Sequence, residues 1–75
     1  MTVKTFGWVV EVKPLGPSPA LRFNVAEPDK VQAVDAVRRR VREASGANVA
    51  ATEALSSHAV YGVLRMRRGD VSRLD

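Results

Sequence analysis

The chain has no cysteine and no isoleucine, a single histidine, and only four aromatic residues: Phe6, Trp8, Phe23 and Tyr61. Without cysteine there is no disulfide staple, no thiolate metal site and no thiol nucleophile, and the composition suits a reducing, cytoplasmic setting. A transition-metal site built on one histidine would need carboxylates at unrelated spacings, so no metal is expected. Long apolar runs are also missing. The longest is AVYGVL at 59–64, far below the ~18 residues that a membrane span needs. The apolar stretch near the start is cut by Glu11 and Lys13, too short for a secretory segment, so no membrane association is expected.

Signs of catalysis are equally sparse. Glu11, Glu27 and Glu53 fall on separate segments, and no close pair for general acid and base work is implied. His58 follows Ser56 and Ser57, but neighbours in a turn seldom reach catalytic geometry and no acid is placed to orient the ring. Gly16, Gly46, Gly62 and Gly69 stand alone, outside any phosphate-cradling pattern, so no nucleotide cofactor is expected. Arg68-Gly69-Asp70 reads as a tight turn after a strand. The expectation is a protein that is not an enzyme and carries no cofactor.

What is present is valine and alanine. Thirteen valines and ten alanines dominate the apolar residues of this 75-residue chain, which is long enough for one domain only. A domain of that size draws roughly 3–5 kcal/mol from a single core, and a core of small side chains without staples favours burial against a second copy. A homo-oligomer is therefore expected.

Phe6, Trp8, Val10 and Val12 alternate with Thr5, Gly7, Val9 and Glu11, the pattern of a strand with one buried face. Prolines 14, 17 and 19 make the following segment a loop, and Leu21, Phe23 and Val25 alternate again as a second strand. A helix is expected over about 28–45, with Pro28 as its first residue, Asp29 and Glu27 at its positive end and Gly46 as its stop. Its apolar stripe is read as Val34, Val37, Val41 and Ala44, with Val31 and Ala33 at the edges. Residues 47–55 and 58–68 read as two more strands joined at Ser56 and Ser57. The fold class is α+β, in the order β-β-α-β-β: a four-stranded, mostly antiparallel sheet with one helix packed on one face. Residues 1–69 form the domain and 70–75 a flexible C-terminal tail. One helix leaves the reverse face open, and that face is expected to carry Val3, Val9, Tyr61, Val63, Arg65 and Arg67.

Charge is unevenly spread. The net +4 lies entirely in the second half, which holds eight of the nine arginines. Four of them, Arg38, Arg39, Arg40 and Arg42, crowd the end of the expected helix; Asp35 and Glu43 stand at ion-pair spacing from several of them. Arg65, Arg67, Arg68 and Arg73 form a second group. The leading functional expectation is a non-enzymatic binding module that forms a homodimer through the open sheet face, using Val9, Tyr61 and Val63. The alternative is a nucleic-acid-binding protein that grips the phosphate backbone through Arg40, Arg42, Arg65, Arg67 and Arg68. Tyr61 is the one aromatic expected on the open face, so base stacking has little support.

Overall fold

The structure is a computed structural model and describes residues 5–74; Val3 lies outside them. The alternation at the start forms β1 (Gly7–Lys13), and the proline-bearing loop returns the chain as β2 (Leu21–Val25). The two pair antiparallel with Trp8 opposite Val25, Val10 opposite Phe23 and Val12 opposite Leu21, which gathers these six side chains on one face. That face receives α1 (Lys30–Arg40). β3 (Asn48–Leu55) adds antiparallel to the free side of β1, and β4 (Val71–Leu74) to the free side of β2. The result is an α+β domain: an open four-stranded antiparallel sheet in the order β3-β1-β2-β4 with one helix.

Between helix and sheet lies the main core. Val10, Val12, Phe23 and Val25 meet Ala33, Ala36 and Val37 of α1, and Ala44 and Ala47 close one end. The buried stripe thus differs from the expected one: Val31 is 76% exposed, while Ala33 and Ala36 face the sheet. Small side chains there let α1 settle close onto valines, and that tertiary gain outweighs the larger side chains a turn away. Asp29, not Pro28, opens the helix. Its Oδ1 accepts hydrogen bonds from the backbone N–H of Val31 (2.9 Å) and Gln32 (3.1 Å), satisfying two donors that the first turn leaves unpaired. Trp8 anchors this end, donating through Nε1 to the Pro28 carbonyl at 3.0 Å, with Lys30 Nζ 5.5 Å from the Trp8 ring centroid.

The helix also ends earlier than expected. Val41 is extended (φ −107°, ψ 115°), and a single 3₁₀ turn, Arg42–Ala44, follows it. The β-branched Val41 has low helix propensity and gives the chain a small push toward the extended state there. Turning toward the sheet also buries Ala44 and Ala47.

The second half corrects the expectation more strongly. His58–Val63, expected as a strand with Tyr61 and Val63 on the open face, forms one π-helical turn; the fourth strand comes instead from the segment expected to be a flexible tail. Ser56 starts the turn, its carbonyl accepting from Val60 N–H (3.0 Å) and its Oγ from Ala59 N–H (3.2 Å). The chain then reverses at residues 67–70. Asp70 N–H donates to the Arg67 carbonyl (2.9 Å), Asp70 Oδ2 accepts from Arg67 N–H (2.8 Å), and Gly69 adopts φ +88°. This is the tight turn expected of Arg68-Gly69-Asp70, with glycine where a positive φ requires it. Ala26 brackets the turn through Gly69 N–H to its carbonyl and its own N–H to the Asp70 carbonyl, and so delivers Val71 to the edge of β2.

The π-helical turn packs on the face that α1 leaves bare. Gly7, Val9 and Glu11 alternate away from the helix, and a Cβ placed on Gly7 would stand 2.9 Å from Val60 Cγ2 and 2.5 Å from the Val25 carbonyl oxygen. Ala26, Val60 and Met66 are buried together there, with Phe6 and Leu55 packed against them. A second, smaller core thus covers one end of the reverse face.

Candidate interaction surfaces

The five arginines read as a phosphate grip do not come together. Arg40 ends α1 and Arg42 opens the 3₁₀ turn that leads into Asn48, at the end of the sheet where Lys13 pairs with Asn48. Arg65, Arg67 and Arg68 lie beside the turn bound to Ala26, at the opposite end, where α1 begins. The eleven residues of α1 separate the two groups by about 16 Å at 1.5 Å per residue.

Several charges already have partners. Arg39 Nε lies 3.0 Å from Asp35 Oδ2, both exposed. Arg68 Nε lies 3.6 Å from Glu27 Oε1, a buried carboxylate oxygen with no hydrogen-bond partner, so this cation serves to neutralise it. Arg65 takes φ +52°, a left-handed conformation. It redirects the chain between the π-helical turn and the tight turn at 67–70.

The self-association residues are likewise redistributed. Val9 does alternate away from α1 but is only 5% exposed, so it offers almost no area to a partner; that expectation is corrected by burial within the sheet. Tyr61 and Val63 are exposed, but on the π-helical turn rather than on a strand, with the Tyr61 ring packed edge-on against Phe6 at 5.8 Å between centroids. Val9, Tyr61 and Val63 therefore do not form one flat apolar patch on a sheet.

A different apolar surface is present on the helix side. Lys30, Val31 and Val34 of α1 and Val49, Ala50 and Ala51 of β3 line a groove of ≈ 380 Å³. β3 is an edge strand, paired with β1 alone, so one row of its backbone donors and acceptors faces outward along this groove. Residues 48–52 carry no charge and no proline, the usual devices that keep an edge from pairing. The strand's one irregularity closes this stretch: the register with β1 shifts between Val9 and Val10, leaving Thr52 as the extra residue, its Oγ1 3.3 Å from the Val9 carbonyl, a bulge that blunts this end of the edge. Sequence reading overlooked this groove because it assigned Val31 to the margin of a buried stripe.

No family model, no curated protein and no solved structure matches the chain. Among the described residues no three His, Asp or Glu side chains gather as a metal-binding group, and no helix is long and apolar enough to cross a membrane.

Proposed function

We propose that this protein is a non-catalytic binding module that works as a homodimer. The observation that carries the reading is an imbalance between what is buried and what is exposed. The five largest fully buried side chains are all valines, while Leu15, Val31, Tyr61, Val63, Leu64 and Leu74 are at least 36% exposed. A core that thin, with large apolar side chains left in water, gains from covering some of them with a second chain. A cytoplasmic setting belongs to the same reading, on the strength of the cysteine-free composition. Sedimentation velocity from low to high micromolar concentration tests it: a dimer at the upper end is the expected result, and a monomer throughout would end the proposal.

Phosphate-backbone binding is the second reading, and the placement of the arginines lowers its support. Electrostatic affinity for nucleic acid grows with the number of phosphates neutralised together. Two small basic groups at opposite ends of α1 form no continuous stripe along which a backbone segment would be tracked.

A further inference from the structure

We infer that residues 61–65 form a docking knuckle for an anionic lipid surface, which the protein touches without crossing. A monomer and a dimer present this knuckle alike, so it stands apart from the dimer reading above.

The knuckle is closed at its neck. Val60 is fully buried and Met66 is 6% exposed, both in the second core with Ala26. The Val60 carbonyl accepts a hydrogen bond from Met66 N–H at 2.9 Å, and the Ala59 carbonyl accepts one from Leu64 N–H at the same distance. Tyr61, Gly62, Val63, Leu64 and Arg65 therefore lie between two buried anchors, and all five are exposed. Arg65 completes the closure in its left-handed conformation, and the Tyr61 ring is braced edge-on by Phe6. Three large apolar side chains, Tyr61, Val63 and Leu64, are thus held in water within four positions. The other exposed large apolar side chains, Leu15, Val31 and Leu74, sit singly on a loop, on α1 and on β4.

Charge selects the occupant. Residues 54–69 contain no aspartate or glutamate, but they hold Arg65, Arg67 and Arg68. Arg68 is drawn to Glu27, whereas the side chains of Arg65 and Arg67 have no ion-pair partner among the described residues. Asp70, the nearest acid along the chain, is occupied by the Arg67 backbone N–H. An apolar tip bordered by free guanidinium groups complements a surface that is apolar beneath and anionic above: aliphatic side chains enter the acyl boundary, a tyrosine ring rests at headgroup depth, and arginines stay with the phosphates.

Other anionic partners suit the knuckle less well. A stable protein interface takes about 800 Å² and about 20–30 residues from each side, of which five residues are a small part. Nucleic acid would satisfy the arginines and leave Val63 and Leu64 against phosphate or water. A bilayer has no fixed shape to match and takes apolar and cationic groups together. The expectation of no membrane association rested on the lack of long apolar runs, which bears on crossing a bilayer; resting on its surface needs no such run.

Co-sedimentation of the full chain with vesicles of phosphatidylcholine alone, or of phosphatidylcholine and phosphatidylserine in equal parts, tests this, with far-UV circular dichroism confirming that each variant is folded. Weak, reversible binding to the mixed vesicles is expected, falling as salt rises, with little binding to the neutral ones. Val63→Ser combined with Leu64→Ser should lower partitioning by about tenfold or more. Arg65→Gln combined with Arg67→Gln should lower it by about 25-fold, at about fivefold for each cation beside an anionic surface. Arg40→Gln combined with Arg42→Gln removes the same charge at the far end of α1 and should lower it by less than about threefold at an ionic strength where the Debye length is about 8 Å. Because the chain has no cysteine, Val63→Cys and Ser18→Cys each give one attachment point for an environment-sensitive fluorophore. Emission from the label at 63 should shift to the blue on mixed vesicles, and emission from the label at 18, in the exposed proline-bearing loop, should not. Equal losses from the two arginine pairs, equal binding to neutral vesicles, an unshifted label at 63, no binding to either vesicle, or binding to a DNA duplex in place of vesicles overturns the assignment.

Discussion

Replacing Gly7 with alanine is the most direct test of how the second half of the chain folds. The added methyl would meet the Val25 carbonyl oxygen at 2.5 Å, Val60 Cγ2 at 2.9 Å and Leu55 Cδ1 at 3.5 Å. The first contact is the methyl against backbone within the sheet, with no flexible side chain to give way. The second exists only because the π-helical turn packs on the reverse face. Relieving both requires the strand to shift or the turn to lift away from Ala26 and Met66, and overpacking of this kind costs about 1–3 kcal/mol. Against it stands the gain from replacing glycine at a position with ordinary backbone angles, about 0.4–1 kcal/mol through the unfolded chain. A methyl forced to 2.5 Å from a backbone oxygen puts the cost in the upper half of that range, so a net loss of about 1–2.5 kcal/mol follows, which for a domain of this size lowers Tm by about 4–20 °C. Thermal unfolding followed by circular dichroism at a fixed, low protein concentration reads it. Val60→Ala alone should also destabilise, by opening a cavity under the turn. Combined with Gly7→Ala it should cost less than the two losses together, because the methyl that meets Val60 Cγ2 is then accommodated. If Gly7→Ala is neutral or stabilising, or if the two changes are additive, Val60 does not sit on Gly7 and the second core is wrongly placed.

Three further outcomes are expected. Asp29→Ala removes the acceptor for Val31 and Gln32 N–H and should lower stability by about 1 kcal/mol; a urea midpoint unmoved by this change would contradict the cap. Arg65→Gly relieves a left-handed residue at φ +52° and should raise stability by up to about 1 kcal/mol, the strain released less the greater freedom of glycine in the unfolded chain, so a clear fall in the urea midpoint would show that the Arg65 side chain makes a contact worth more than the strain. Polarisation titrations with a labelled DNA duplex at low salt should show weak binding at most. A steep salt dependence, equivalent to about six or more phosphates neutralised together, would mean that the two basic groups act as one surface and would revive the nucleic-acid reading.

The parts of the fold written in local patterning were legible in the chain. Alternation in 7–12 and 21–25 gave both central strands with their inward residues, because a strand with one buried face must repeat every two residues, while Phe6, read as inward with them, packs instead in the second core. The start of α1 was visible to within two residues from Pro28, although Asp29 proved to be the cap, and the fold class followed from the number and order of the elements. The boundary at Val41 was not visible, since it depends on what Ala44 and Ala47 gain by reaching the sheet. The arginine groups could be counted but not located, because no periodicity states which end of a sheet a loop returns to.

Residues 58–74 show where local reading stops. AVYGVLRMRR alternates like a strand, and VSRL carries little pattern, yet residues 58–63 form the π-helical turn and VSRL the edge strand. The decision lies in partners far along the chain: Gly7 opens a space that Val60 fills, and Ala26 holds the tight turn that sets Val71 against Val25. Amino-acid composition alone settled that the core would be thin, unstapled and built from valine and alanine. Only the three-dimensional arrangement decided which apolar side chains were left over and which strand edge they border, because that depends on contacts between residues dozens of positions apart, to which a local pattern is blind.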